Sequence, residues 1–146
     1  MKIETTRFGT VTLREEKILN MPFGMLGFPD KQRFVIFQHK ENSPFFWYQS
    51  VNDRALAFVI ISPFFFMPDY EVDIEDVLTE MSWNRESENN GLEFYVVVNI
   101  PKGLPEKMTA NLIGPILINN KTRQAVQMVI SKSPYVHNFP LIIQNE

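Results

Sequence analysis

The sequence predicts a mainly β protein, a barrel-like or folded mixed sheet of about 8–10 strands with one short helix. Short segments of alternating polar and apolar residues, or of aromatic and β-branched residues, recur between Gly, Pro, Asn and Asp clusters. The 13 phenylalanines and 10 prolines suit a compact sheet protein with many corners. A single segment has the periodicity of an amphipathic helix. The spacing of the strands alone does not distinguish a barrel from a sandwich.

The first half of the chain contributes the predicted strands at residues 2–6, 10–13, 17–21, 33–39, 45–51 and 56–62. The first two strands form a hairpin in which Gly9 supplies the turn. Residues 22–29 form a loop where Gly24 and Gly27 are expected to take backbone angles closed to other residues. Residues 52–54 form the turn before the sixth strand, and Pro63 ends that strand.

The predicted helix spans about residues 73–84. Its apolar stripe falls at i, i+3, i+4 and i+7 and consists of Ile74, Val77, Leu78 and Met81. Asp73 can cap the N-terminus, and acidic residues in the first turn suit the positive end of the helix dipole. After the helix, strands are predicted at residues 94–100, 108–112, 116–119 and 124–130. The first of these is almost continuously apolar, so we expect neighbours to cover both of its faces.

The residue types exclude most catalytic chemistries. The chain contains no cysteine, which excludes disulfides, thiolate metal sites and cysteine catalysis. Its two histidines, His39 and His137, are far apart in sequence, and neither a Gly-x-Ser-x-Gly nor a Ser-x-x-Lys motif accompanies them. The Gly24-x-x-Gly27 pair lacks the Gly-Lys-Ser/Thr ending of a phosphate-binding loop. We therefore predict no catalytic residue, no cofactor and no enzymatic activity.

A calcium-binding loop is the metal site that the spacing imitates. Acidic residues fall at positions 1, 3, 5, 7 and 12 of an EF-hand loop if the loop begins at Asp69. Position 6, which needs Gly for a sharp turn, is Ile74, and position 8 is the charged Asp76 rather than an apolar residue. The apolar stripe also requires residues 74–81 to be helical, so we predict no metal site.

The length predicts one domain over residues 1–146. The N-terminal segment and the apolar runs predict that this domain is cytoplasmic. Met1 leads directly into an alternating segment, without the charged and then apolar regions of a secretory signal. The longest apolar runs, such as residues 58–61 and 64–67, are far shorter than a membrane span. We therefore expect no contact with a membrane.

The charge is unevenly distributed along the chain. Residues 69–93 contain nine acidic residues and one basic residue, whereas the rest of the chain has a net charge of +5. This distribution predicts a basic protein partner and argues against direct nucleic-acid binding through the acidic segment. The alternative is a solvated helix face with its loops. The candidate contact residues are Asp69, Glu71, Asp73, Glu75, Asp76 and Glu80.

Aromatic runs at residues 45–48 and 64–66 form a second candidate surface. In a strand, Phe46 and Tyr48 share one face, and the residues between and before them share the other. Aromatic residues are enriched at interface centres, so a groove for a partner segment is one interpretation. A filled core is the alternative, and base stacking would need basic residues between the rings, which are scarce here. The candidates are Phe45, Phe46, Trp47, Phe64, Phe65 and Phe66.

Several short motifs along the chain form one ordered set. They are Phe8-Gly9, Pro22-Phe-Gly-Met-Leu-Gly-Phe28, Pro44-Phe-Phe-Trp-Tyr-Gln-Ser50, Leu56-Ala-Phe58, Pro68-Asp-Tyr70, Thr109-Ala-Asn-Leu-Ile-Gly-Pro-Ile-Leu-Ile-Asn119, and Arg123 with Gln127. Each motif is weak alone, but the set covers nearly the whole chain and resembles the FliW family of flagellar assembly factors. Asn111 and Asn119 are expected to be structural, bonding the backbone of the turns.

The resemblance implies a β pseudobarrel that acts as a non-enzymatic partner switch. FliW-like proteins bind cytoplasmic flagellin and also CsrA, a small basic RNA-binding protein that represses flagellin translation. When flagellin is exported, the freed FliW-like protein sequesters CsrA. The acidic segment would then contact the CsrA-like protein, and the aromatic residues would contact an amphipathic helix of flagellin. The alternatives are a small-ligand-binding β-barrel and an interaction module with another protein partner.

Overall fold

The computed structural model describes residues 1–38, 40–84, 91–131 and 133–141. Its strands are β1 (Lys2–Thr5), β2 (Gly9–Thr12), β3 (Leu19–Asn20), β4 (Arg33–Gln38), β5 (Phe45–Ser50), β6 (Ala57–Ile61), β7 (Leu92–Asn99), β8 (Thr109–Ala110), β9 (Ile116–Asn119), β10 (Gln124–Gln127) and β11 (Phe139–Pro140). Helix α1 spans Glu75–Met81, and 3₁₀ helices cover Glu15–Lys17, Pro63–Phe65 and Pro105–Lys107. His39, the predicted end of the fourth strand, lies outside the described residues, as do Arg85, Glu86 and Glu88 of the acidic segment.

Seven of these strands close into a barrel. They follow the order β7, β6, β5, β4, β3, β10 and β9, and β9 pairs in turn with β7. Strands β3 and β10 run parallel through Asn20 and Gln124, whereas the other pairs of the ring are antiparallel. The predicted mainly β fold with a mixed sheet is therefore confirmed, and the ring decides between the barrel and the sandwich.

Strand β7 is the strand at which the ring closes. On one edge its residues 92–95 pair with β9, and residues 98–99 pair with β8. On the other edge, residues 96–98 pair with β6. Strand β8 also pairs with β11, so a short two-stranded extension leaves the barrel at β7. Strands β1 and β2 form a separate antiparallel hairpin, in which the left-handed Gly9 (φ 69°) begins β2 after the predicted turn.

The barrel is filled by alternate side chains of its strands. Phe34 and Tyr48 stack inside it with ring centroids 4.5 Å apart. The Tyr48 hydroxyl donates to the sulfur of Met21 at 3.1 Å, and burial raises the pKa of this tyrosine. The other buried members of this cluster are Leu19, Met25, Ile60, Ile116, Ile118 and Ala125. Burying each large apolar side chain contributes about 1.5–3 kcal/mol, so this interior stabilises the fold substantially.

Two further apolar clusters cover parts of the outer surface of the barrel. In the first, residues 63–72 pack with β8 and β11 on the outer faces of β6 and β7. In the second, α1 places its apolar stripe against Leu117 of β9 and Val126 of β10. Because side chains alternate along a strand, Ile116 and Ile118 face the barrel interior while the residue between them faces the helix. Strand β9 is therefore buried on both faces.

Helix α1 is shorter than the sequence predicts. It begins at Glu75, whose backbone N–H donates to Oδ1 of Asp73 at 3.0 Å, although the capping position is the residue between them. It ends because Ser82 takes a left-handed conformation with a φ of 56°. The backbone N–H of Trp83 then donates to the carbonyl of Leu78 at 2.9 Å, as in a Schellman motif. No glycine marks this end in the sequence, so the periodic pattern extends past it.

Several strands differ from the prediction. The strand predicted at residues 17–21 is reduced to β3, because Glu15–Lys17 forms a 3₁₀ helix. The strand predicted at residues 108–112 is reduced to the two residues of β8. Strand β11 was not predicted, because two residues that include Pro140 carry no periodic signal.

The chain after β10 runs on beside the Gly-Pro corner but no longer forms a strand. The prediction extends this strand over residues 124–130, whereas β10 ends three residues earlier. Beyond it, the N–H of Met128 donates to the carbonyl of Pro115 at 2.9 Å, and the N–H of Ile130 donates to that of Ile113 at 2.7 Å. The segment therefore continues alongside the Gly-Pro corner and forms a wall beside α1.

Candidate functional site

The motif residues of β5 serve the fold. Gln49 is fully buried, and its side-chain Nε2 lies 3.0 to 3.3 Å from four backbone carbonyl oxygens, those of Ser50, Asp53, Arg54 and Leu56. These carbonyls belong to the turn between β5 and β6. The amide therefore holds the turn from inside, which leaves no role in partner contact for this side chain.

The Gly-Pro corner is held in the same way. Oδ1 of Asn111 accepts a hydrogen bond from the N–H of Ile113 at 3.1 Å. Nε2 of Gln127 donates to the carbonyl of Gly114 at 3.0 Å, and its Oε1 accepts from the N–H of Leu26 at 2.9 Å. The glutamine thus joins the corner to the loop at residues 22–29, which lies far away in sequence.

The last motif residues fasten β10 to its neighbours. Oδ1 of the buried Asn119 accepts from the N–H groups of Lys121 and Thr122 at 3.0 and 3.3 Å. Arg123 has a left-handed backbone, and its guanidinium donates to the carbonyl of Lys17 at 2.9 Å. Both asparagines named in the sequence analysis therefore bond backbone, as expected. These motif side chains are structural, and candidate partner contacts lie on other surfaces.

The acidic candidates lie together on the outside of α1 and of the loop before it. All six are exposed: Asp69, Glu71, Asp73, Glu75, Asp76 and Glu80. The opposite face of the helix, with Val77, Leu78 and Met81, is buried against β9 and β10. Within the described part of the chain, no Lys or Arg forms a salt bridge with Asp73, Asp76 or Glu80. Asp73, Asp76 and Glu80 also line one groove beside α1, so the structure brings these three carboxylates together.

A tyrosine pair fixes the loop that carries the first acidic residues. The hydroxyl of buried Tyr70 donates to the carbonyl of Leu112 at 2.7 Å, and burial raises the pKa of this phenol. Its ring packs on Tyr135 with centroids 4.7 Å apart. The hydroxyl oxygen of Tyr135 accepts from the N–H of Glu71 at 2.9 Å. The backbone between β6 and α1 is thus held at two points.

Four of the six aromatic candidates are partly covered by the rest of the fold. Phe46 lies against the barrel interior, and Phe45 and Phe66 pack into the first outer cluster. Trp47 lies on the outer side of β5, where the guanidinium carbon of Arg7 stands 4.1 Å from the centre of its ring. The predicted alternation of faces along β5 is confirmed.

Phe64 and Phe65 are the exposed aromatic candidates. They are 41% and 59% exposed in the 3₁₀ helix that follows β6. The ring of Phe64 contacts Phe94 and Tyr70 edge-on, with centroids 5.7 and 6.1 Å away. The first ring is therefore anchored, while the second projects into solvent.

A groove that the sequence analysis did not single out runs between α1 and residues 126–131. Its volume is about 370 Å³. Carboxylates line the α1 side, and apolar side chains form the floor and the opposite side; these residues include Asp73, Asp76, Glu80, Val77, Val126, Met128, Phe23 and Val129. We call this feature the acid-rimmed groove. Phe23 and Val129 were missed because they are distant in sequence, one in the predicted loop at residues 22–29 and the other in the predicted strand at residues 124–130.

The structure also bears on a metal site and on a membrane span. Helix α1 spans Glu75–Met81 and so takes up residues 75–80, the second half of the stretch that imitates an EF-hand loop. Among the described residues, no three His, Asp or Glu side chains are grouped so that they could hold a metal ion. Nor is any helix in this part of the chain long and apolar enough to cross a membrane.

Comparison with known proteins identifies the family. The sequence model of the FliW protein family matches residues 2–141. The chain belongs to the FliW family. The resemblance seen in the ordered motifs is therefore confirmed.

Relatives and a solved structure support this assignment over most of the chain. The flagellar assembly factor FliW of Magnetococcus marinus is 40% identical over 129 residues, covering 88% of this chain and 78% of the relative. That of Treponema denticola is 40% identical over 131 residues, covering 90% and 86%. A crystal structure of the flagellar assembly factor FliW superposes with a TM-score of 0.85 at 31% identity, covering 96% of both chains. Membership of this family supports a role in flagellar assembly.

Proposed function

We propose that this protein is a non-enzymatic, cytoplasmic partner switch in flagellar assembly. It binds flagellin on one surface and a basic, CsrA-like translational regulator on another. Binding of the regulator relieves repression of flagellin synthesis once flagellin has been exported. The observation that carries the proposal is the negative surface of α1 and the preceding loop, which the tyrosine pair and the barrel hold in place.

The negative surface suits a basic partner. Charges at the rim of an interface mainly accelerate association and select the partner. Because Asp73, Asp76 and Glu80 form no salt bridge within the described residues, their field is available to a partner. At physiological ionic strength that field is screened over about 8 Å, so binding should weaken as salt is added.

Flagellin is assigned to the exposed aromatic residues. An amphipathic helix binds by placing its apolar face on an apolar surface, and Phe64 and Phe65 offer such a surface beside Phe94 of β7. The ring of Phe64 is supported by its contacts with Phe94 and Tyr70. A ligand pocket inside the barrel is disfavoured, because Phe34, Tyr48 and their neighbours occupy the interior.

The proposal is tested by titrating the purified protein against the CsrA-like protein of the same organism, with and without flagellin, at low and high salt. We expect binding of the CsrA-like protein that weakens with salt and is competed by flagellin. The double variant Asp76→Asn/Glu80→Gln should slow association with the CsrA-like protein. The variant Phe65→Lys should abolish flagellin binding while changing the free energy of unfolding by less than about 0.5 kcal/mol.

Matched controls are available elsewhere on the surface. Glu106→Gln neutralises an exposed carboxylate and Leu104→Lys charges an exposed apolar residue, both near the third 3₁₀ helix and outside the two surfaces. Both controls should bind like the wild type. Absence of binding to either partner would reject the switch, and binding that is insensitive to salt would reject the acidic surface as the contact.

A further inference from the structure

The acid-rimmed groove combines exposed apolar side chains with a row of carboxylates. Phe23 and Val129 are 53% and 63% exposed on the side opposite α1. Leu26, also exposed, is held to the same wall through its N–H, which donates to Gln127. Neighbouring exposed apolar side chains of this size are typical of protein-binding surfaces. Here they face a row of carboxylates across a cleft.

The carboxylates specify the charge of the occupant. Asp73, Asp76 and Glu80 line the α1 side, and no described Lys or Arg forms a salt bridge with them. A nucleic acid or a phosphorylated ligand would be repelled at this rim. A segment with an apolar side chain flanked by Lys or Arg can contact both sides of the groove at once, because its cations face the carboxylates and its apolar side chain packs on the opposite side.

The walls are fixed by contacts that do not involve a ligand. Val77 and Val126 are buried in the cluster beneath α1, and the N–H groups of Met128 and Ile130 are bonded to the Gly-Pro corner. Gln127 holds the loop that carries Phe23. A groove that is already ordered costs little conformational entropy on binding.

We propose that the acid-rimmed groove binds a basic segment of a protein partner, which inserts an apolar side chain between α1 and residues 126–131. Lysine or arginine residues of that segment contact Asp73, Asp76 and Glu80. The inference deepens the proposed function and rests on it for the identity of the partner, because it makes the CsrA-like protein the occupant. The two sides of the groove then have different roles: the carboxylates accelerate association of the partner, and the apolar side slows its dissociation.

The first experiment separates these roles kinetically. The double variant Phe23→Ser/Val129→Ser should bind the CsrA-like protein at least about tenfold more weakly, through faster dissociation and with an unchanged salt dependence. Asp76→Asn/Glu80→Gln should instead slow association and reduce the salt dependence. The control Leu104→Ser removes an exposed apolar side chain outside the groove and should bind like the wild type. Unchanged dissociation of the serine variant would overturn the inference while leaving the acidic contact intact.

A second measurement tests the groove without the protein partner. The probes are two peptides, Lys-Leu-Lys-Leu-Lys and Glu-Leu-Glu-Leu-Glu, and the signals are the methyl NMR resonances of Val126 and Val129. We expect the basic peptide to shift the methyl resonances of both valines in the wild type. In the Phe23→Ser/Val129→Ser variant only the Val126 methyls remain, and the basic peptide should not shift them. The acidic peptide should have no effect.

The two measurements distinguish the possible failures. If the CsrA-like protein does not bind but the basic peptide shifts the methyl resonances, the proposed function fails and the groove keeps its chemistry. If the CsrA-like protein binds but the basic peptide causes no shift and the serine variant binds like the wild type, the groove inference is overturned alone.

Discussion

Gly24 and Gly27 lie in the same loop and both have a left-handed backbone, with φ values of 67° and 85°. Their surroundings differ. A Cβ on Gly24 would lie 2.5 Å from the carbonyl oxygen of Phe28 and 2.6 Å from that of Pro29, whereas nothing lies within 4 Å of a Cβ on Gly27. The first glycine is required by space and by conformation, and the second by conformation alone.

The two glycines should therefore respond differently to alanine. Gly27→Ala should lower the free energy of unfolding by about 1–2 kcal/mol, the cost of a left-handed alanine. Gly24→Ala should cost more, because backbone atoms of the loop must also move. Urea denaturation measures both, with Gly103→Ala, which has a φ of 77° and open space, as the matched control. Equal losses at residues 24 and 27 would show that the two carbonyls yield freely, contrary to this account.

Helix α1, at the scale of an element, shows how a short helix is stabilised by its tertiary contacts. Its seven residues are too few for a stable isolated helix. Three of its side chains are buried against β9 and β10, and Trp83 closes its C-terminal end. The indole N–H of Trp83 donates to Oε1 of Gln124 at 2.9 Å, which ties the helix end to the barrel.

Trp83→Phe should test that connection. The phenyl ring keeps most of the buried apolar surface, so the loss of about 1–2 kcal/mol that we expect comes mainly from the hydrogen bond. Chemical denaturation of the single variants Trp83→Phe and Gln124→Ala and of the double variant isolates the pair. Additive losses would mean that the bond contributes nothing. Thr79→Ala, on the exposed side of α1, serves as the control and should change little.

Buried phenol groups, considered across the whole molecule, make the fold sensitive to alkali. The Tyr48 hydroxyl donates to the sulfur of Met21 inside the barrel. The Tyr70 hydroxyl donates to the carbonyl of Leu112 and so holds the loop between β6 and α1. Burial raises the pKa of both above the ordinary value of 10.0. Below pH 10 both phenol groups are protonated in the folded and in the unfolded state, so their contribution to stability is fully present. Above it the unfolded chain loses protons first, so stability falls as the pH rises toward the folded pKa.

The free energy of unfolding should therefore decline by up to about 1.4 kcal/mol per pH unit for each of these tyrosines once the pH exceeds about 10. Denaturant titrations at a series of alkaline pH values measure this slope. Tyr70→Phe, which removes one of the two groups and its bond to Leu112, should be less stable at neutral pH but should show a shallower alkaline slope. A variant with an unchanged slope would argue against a buried neutral phenol at this position.

Local patterns predict the elements of this fold but not its closure. Alternation along β5 correctly separates the face of Phe46 and Tyr48 from the other face, because a strand has a period of two. The pairing of β3 with β10 and of β7 with β9 joins distant parts of the chain, and no local pattern encodes it. The sequence therefore left the barrel and the sandwich open, although the family resemblance implied a pseudobarrel.

The same distinction applies to the candidate surfaces. Charge counts along the chain predict an acidic segment, and helical spacing predicts which of its neighbours are buried. Phe66 is partly covered because it stacks on Phe139 of β11, a strand that carries no periodic signal. Phe23 and Val129 line one groove, where a long-range bond from the N–H of Leu26 to Gln127 joins the loop of Phe23 to β10.

The contact between β3 and β10 also determines when the barrel can form during synthesis. Arg123 and Lys17, which fasten it, are 106 positions apart in sequence. Strands β4 to β7 can pair with their predecessors as they leave the ribosome, but the ring stays open until β10 has emerged. Long-range closure of this kind is slow, and the open strand edges can pair with other chains while it is incomplete. The nascent chain therefore exposes unpaired strand edges until β10 has emerged and can pair with β3 and β9.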